Sequence, residues 1–262
     1  MILLLFILGL FIGSFLNVLA DRLPNEESVL KGRSRCEKCK KELVWYDLVP
    51  VLSFVFLQGK CRYCHTNLSS YYPIIELVTG IMFAITFLFV TKNLPFTIYH
   101  LPFIELFYYL FIISFLIVIF FADLKYGIIP DKVVLPAIFV SSLYIVFNTN
   151  YLILSHLLSA LGACLFFLFL FLITKGRGMG LGDVKLAFLM GFLLGFPGIV
   201  IALYLAFLTG ALVGIILILW RKKRLFGGSI PFGPFLVLGT GAALFYQAPI
   251  VQMVSRWLSF SL

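Results

Sequence analysis

Apolar residues in this chain run in long blocks, without the alternation of a half-buried strand or the single stripe of a soluble helix. The blocks are 1–20, 73–91, 103–122, 132–147, 151–173, 199–220 and 234–255, with a shorter one at 184–196. Most come close to the roughly 20 residues a helix needs to cross a bilayer. The pattern predicts an all-α polytopic membrane protein with about eight transmembrane helices. Polar positions concentrate instead in residues 21–72, which predicts a soluble insert between the first two spans. The expected organisation is a first transmembrane helix over 1–20, the insert over 21–72, and a membrane helical bundle over 73–262. No internal repeat or low-complexity tract interrupts it.

Composition agrees, at 62% hydrophobic and only 12% charged, against about a quarter charged in a soluble domain. A net charge of +9 raises the question of a nucleic-acid surface, and the placement of the basic residues answers it. Eighteen of the twenty Lys and Arg fall in 21–72, 123–132, 174–185 and 221–224 (RKKR). These are alternate loops of an eight-span protein and so lie on one face, which the positive-inside rule makes cytoplasmic. The opposite face keeps Lys92 and Arg256. The bilayer explains the charge, and no nucleic-acid partner is expected. The first block lacks a preceding basic region and is followed by basic residues, so it reads as an uncleaved helix and not a signal peptide.

Four of the five cysteines lie in the insert as two CxxC pairs, Cys36 with Cys39 and Cys61 with Cys64. A two-residue spacer lets both sulfurs of a pair face one ion, and two pairs complete a tetrahedral Zn²⁺ site. Twenty-one residues separate the pairs. Disulfides are the alternative, disfavoured in a reducing cytoplasm. With four thiolates the zinc is structural, because no coordination position stays open. Lys38, Lys40, Lys60 and Arg62 sit beside the ligands to offset their charge. His65 reads as a surface histidine and Cys164 as a buried inert thiol.

Among the eleven acids, the informative ones lie at span boundaries, where ionised groups are expensive. Asp123 closes the third span and Asp183 opens the sixth, so both reach the cytoplasmic end of the bundle. Two carboxyls sharing one depth form an aspartic-protease pair, in which one keeps a proton while the other activates water. GMGLG, residues 178–182, precedes Asp183. Gly180 and Gly182 are expected to give the backbone conformations closed to other residues and to make room for an extended substrate. The competing reading is a simple helix breaker. Asp131, after Pro130, is assigned to capping the fourth span. Glu76 sits just inside the second span, where it either marks a partly hydrated helix start or lines the same cavity.

Asp123 with IIPD, GMGLGD, the double CxxC, GSFLNVLADRLP (13–24), YYPIIELVTG (71–80) and IPFGPFLVLG (230–239) together resemble the bacterial type IV prepilin peptidases, the GxGD class of intramembrane aspartyl proteases. The resemblance spans nearly the whole chain and keeps the motif order. It implies Asp123 and Asp183 as the catalytic pair. The implied reaction is cleavage, after a glycine, of the basic leader of type IV prepilins or type II secretion pseudopilins. It further implies N-methylation of the new N-terminus with S-adenosylmethionine, for which the sequence itself shows no motif. The implied location is the bacterial inner membrane, with the Cys-rich loop and the site facing the cytoplasm. Two other readings stay open on the residues alone: a proton-coupled transporter using paired intramembrane carboxylates, and a zinc-stabilised membrane scaffold.

Overall fold

The computed structural model describes residues 1–29, 32–36, 38–93, 102–147, 153–176, 178–219 and 231–260. The RKKR segment at 221–224 lies outside them. The helices are α1 (Ile2–Arg22), α2 (Leu52–Phe56), α3 (Tyr71–Asn93), α4 (Pro102–Tyr126), α5 (Asp131–Phe147), α6 (Ile153–Thr174), α7 (Leu181–Leu219) and α8 (Gly233–Phe260), with a 3-10 turn at Trp45–Leu48. Among the described residues six helices are long and apolar enough to cross a membrane, counting α7 once and omitting α5. The protein is a multi-pass membrane protein, all-helical among the described residues.

Eight predicted spans become seven long helices because α7 covers two of them. Its helix is nevertheless broken at Gly195 (φ 61°, ψ −172°) and Phe196 (φ −91°, ψ 138°), within one residue of the predicted boundary. Only glycine takes that Gly195 conformation without strain. The break frees the Phe192 carbonyl, which a continuous helix would pair with the Phe196 amide. Buried His156 of α6 closes the gap, its Nδ1 lying 2.7 Å from that oxygen. The described part of α5 has 17 residues, about 26 Å at 1.5 Å each, short of the roughly 30 Å hydrocarbon core.

The chain divides into two compact units, Met1–Phe121 and Ala122–Leu262, the cut falling near the end of α4. In the first unit α1 packs on α3 through glycines. A Cβ at Gly9 would stand 2.7 Å from Gly80 Cα, and one at Gly13 2.7 Å from Glu76 Cα. Small residues let backbones approach where lipid supplies no hydrophobic drive for association. Leu5, Phe83, Val90, Leu106 and Leu110 form the core of this unit. In the second unit α7 contacts α5, α6 and α8. Gly191 permits a close approach of α7 to α6, since an added Cβ would meet Ser159 O at 2.5 Å.

Candidate active site

Buried polar groups inside an apolar bundle must find partners or mark a function. Most of those in this protein close locally. Thr79, Thr86, Ser141 and Thr240 each donate to the carbonyl four residues back, at 2.6–2.7 Å. Among the described residues, three buried side-chain oxygens keep no hydrogen-bond partner: Asn17 Oδ1, Asp47 Oδ2 and Asp123 Oδ2.

Asp123 lies one turn before the end of α4. Gly127 ends that helix at φ 67°, its N–H donating to the Asp123 carbonyl at 2.8 Å, as a left-handed C-cap glycine does. Asp183 is the third residue of α7. Its Oδ2 accepts the Gly180 N–H at 2.9 Å, and its own N–H donates to the Gly180 carbonyl at 3.2 Å. An acid at the third helical position that reaches back to the N-cap amide is half of a capping box. Local helix-start chemistry therefore aims this carboxyl. Both aspartates are buried, at 5% and 8% exposure, and both belong to the second unit. The charge of Asp183 bears on Asp123 across 60 residues of sequence.

Two further contacts lie at the ends of these helices. Gly233 starts α8 with its backbone N–H facing the Asp123 carboxyl. A Cβ there would lie 2.5 Å from Asp123 Oδ2 and 3.0 Å from its carboxyl carbon. Nothing in the sequence singles out Gly233 beyond its place in the IPFGPF segment. Lys185 Nζ donates to Asp131 Oδ1 and Oδ2 at 2.7 and 2.8 Å, joining the starts of α5 and α7. Asp131 is the first helical residue of α5, so the capping expectation gives way to an ion pair. The pair is about half exposed, and such pairs contribute little stability.

The conformational freedom expected of the glycines is not used. Neither Gly180 nor Gly182 has a positive φ, and Gly182 lies inside the first turn of α7. Gly182 instead serves close packing: its Cβ would meet Ile129 Cβ at 3.0 Å, against the α4–α5 turn. Gly180 is exposed, and a Cβ there would touch only Asp183 Oδ2 at 3.7 Å and the Gly182 nitrogen at 3.8 Å.

In the first unit the Cys36, Cys39, Cys61 and Cys64 sulfurs all lie within 4.8 Å of one another. Cys36 and Cys64 stand 3.8 Å apart, about the edge of a tetrahedron with 2.3 Å zinc–sulfur bonds. Each knuckle is closed by matching backbone bonds, Cys36 N–H to Lys41 O and Lys40 N–H to Cys36 O, then Cys61 N–H to Thr66 O and His65 N–H to Cys61 O. The donor set fits a metal. A hydrogen bond from the Thr66 hydroxyl, 3.2 Å from Cys64 Sγ, is the chief cause that brings this thiol down to about 6, favouring the thiolate a metal requires. His65 is exposed and outside the cluster. Cys164 is only partly buried, less than expected.

Glu76 also belongs to the first unit, where its Oε2 accepts the Val51 N–H at 2.8 Å. Val51 is held at φ 59°, a costly conformation for a β-branched residue. This bond ties the insert to α3. Asp47 is another surprise, since the sequence offers it as an ordinary loop acid. Its side chain is 2% exposed and accepts Arg62 Nε at 2.7 Å.

A model of the bacterial peptidase A24 N-terminal domain matches residues 7–90, and a model of the type IV leader peptidase family matches 110–215. The chain is 34% identical over 257 residues to a prepilin leader peptidase/N-methyltransferase of Bacillus subtilis (strain 168), covering 96% of this chain and 97% of that one. It is 30% identical over 278 residues to one of Burkholderia pseudomallei (strain 1026b), covering 95% and 86%. One of Aeromonas hydrophila is 29% identical over 282 residues, covering 97% and 92%. No solved structure matches the chain.

Proposed function

We propose, from the premise that this chain belongs to the type IV leader peptidase family, that it cleaves prepilin leaders with Asp123 and Asp183 and methylates the N-terminus so exposed. The observation that carries the peptidase reading is the pair of buried aspartates in one unit, with Asp123 Oδ2 lacking a hydrogen-bond partner among the described residues. In this reading Asp183, oriented by the Gly180 amide, takes a proton from water as that water adds to the scissile carbonyl. Asp123 holds the shared proton and donates it to the developing oxyanion. Collapse of the tetrahedral intermediate breaks the C–N bond, and the proton on Asp183 passes to the leaving amine. Exposed Gly180 is where an extended substrate backbone reaches Asp183, with Gly182 holding the loop against Ile129.

The basic loops support a bacterial inner-membrane protein whose Cys-rich insert and active site face the cytoplasm. The substrates are type IV prepilins or pseudopilins cut after a glycine. The cysteine tetrad holds one structural Zn²⁺. S-Adenosylmethionine supplies the methyl group. A groove of about 680 Å³ beside α6 and the second half of α7 is lined by residues such as Leu158, Phe166, Ile199 and Leu203, an apolar lining that does not suit a nucleoside. We place no residue at the donor site. The transporter reading gains no support from the comparisons.

Incubating purified protein with a prepilin and reading intact mass tests the whole proposal. Loss of the leader followed by a gain of one methyl group is expected, and an unchanged prepilin would overturn it. Two glycine variants should separate substrate access from packing. Gly180→Val is expected to impair cleavage with little change in thermal stability. Gly182→Val should destabilise by about 1–3 kcal/mol through overpacking on Ile129. Equal stability in the two would remove this division. Elemental analysis should find one zinc per chain, lost in Cys36→Ser with Cys39→Ser, and four intact disulfide-bonded sulfurs would contradict it. This double variant is also expected to lose more methylation than cleavage.

A further inference from the structure

We propose that residues 45–56 of the insert rest on the bilayer surface, the Trp45–Leu48 turn and α2 forming an interfacial lipid contact. The contact is independent of the chemistry proposed above. Six apolar side chains in this stretch are exposed: Trp45, Tyr46, Leu48, Leu52, Val55 and Phe56, with Trp45 at 78% and Phe56 at 81%. Trp45 and Leu48 are three residues apart in a 3-10 turn and so share a face. Leu52, Val55 and Phe56 share one by helical spacing, and the two elements are in contact. Ser53 and Phe54 are half-buried while Leu52, Val55 and Phe56 are exposed, and Asp47 is turned in onto Arg62.

The occupant follows from where this face is tied. The Val51 amide, immediately before α2, is held by Glu76 at 2.8 Å. Glu76 is the sixth residue of α3, about 7.5 Å along that helix from Tyr71. Around it α3 exposes Ile74, Leu77 and Ile81, an apolar surface that a membrane-spanning helix presents to lipid. The start of α2 is therefore held at the depth of the first turn and a half of a membrane-spanning helix, the level at which a bilayer surface lies. Trp and Tyr are the side chains that settle at the headgroup level. Exposed Lys60 nearby suits anionic headgroups. Five residues of helix are too few for the i, i+3, i+4, i+7 anchors of a helix-in-groove protein contact.

The test uses the full chain with Trp220→Phe and Trp257→Phe, leaving Trp45 as its sole tryptophan. The protein is placed in phosphatidylglycerol nanodiscs with or without bromine on the upper acyl chain. Contact predicts that brominated lipid removes most of the Trp45 emission and that the emission is blue-shifted relative to water. Adding Val55→Glu and Phe56→Glu should restore the emission while metal content stays at its level in the parent protein. Equal emission in both lipids would overturn the proposal, as would quenching that survives the double glutamate change. Quenching relieved by excess prepilin would overturn it in favour of a substrate-binding face.

Discussion

Asp123→Asn and Asp183→Asn should each lower prepilin cleavage by about a thousandfold or more, with the protein still folded and inserted. The dyad works only if its two carboxyls share one proton. Asparagine keeps the shape of the side chain, so after Asp183→Asn the new amide oxygen still accepts the Gly180 N–H and preserves the start of α7. At position 123 the unpartnered Oδ2 becomes an amide that neither takes nor gives the required proton. Asp131→Asn is the matched control. Its ion pair with Lys185 is about half exposed, and an asparagine oxygen still accepts from Lys185, so most activity should remain. Intact-mass assay of all three in one membrane preparation checks the choice of pair. A dead Asp131→Asn beside an active Asp123→Asn would refute it.

Gly233→Ala should lower cleavage by about a hundredfold, the scale on which small misplacements of a reacting group are felt. The added Cβ would come 2.5 Å from Asp123 Oδ2, too close for carbon and oxygen. Asp123 has a short side chain and 5% exposure, leaving it nowhere to retreat without moving its carboxyl. Helix propensity argues the other way, because alanine is about 1 kcal/mol better than glycine within a helix. The two explanations therefore differ in sign. A glycine that merely starts α8 predicts an equally active, equally or more stable Gly233→Ala protein. A glycine that makes room for Asp123 predicts lost cleavage at unchanged protein level. Cleavage rate and thermal stability measured together decide between them.

Much of the architecture was legible because lipid imposes a one-dimensional rule. A block of about 20 apolar residues forms a helix wherever its neighbours lie, since its backbone polar groups must be satisfied internally. The cysteine spacing was legible for a similar local reason, each knuckle being closed by bonds within six residues, such as Cys36 to Lys41. Asp183 stood out as a lone acid at the edge of an apolar block. What remained hidden depends on contacts between segments remote in sequence. Glycine residues at 182 and 233 look alike in sequence, yet one packs on Ile129 and the other against Asp123. Gly182 does not use the conformational freedom that its place in the sequence suggested. Glu76 was ambiguous and Asp47 looked ordinary, because a carboxylate does not announce whether a backbone amide 25 residues away or an arginine will meet it.

The membrane helices and the metal-ready cysteine tetrad follow from the residues alone, because each rests on composition or spacing within one segment. That Asp123 keeps a buried oxygen without a partner among the described residues, that Gly233 leaves space for it and that Glu76 holds the insert came only from the fold in three dimensions. Those outcomes depend on how closely backbones approach, and a string of residues carries no distances between helices.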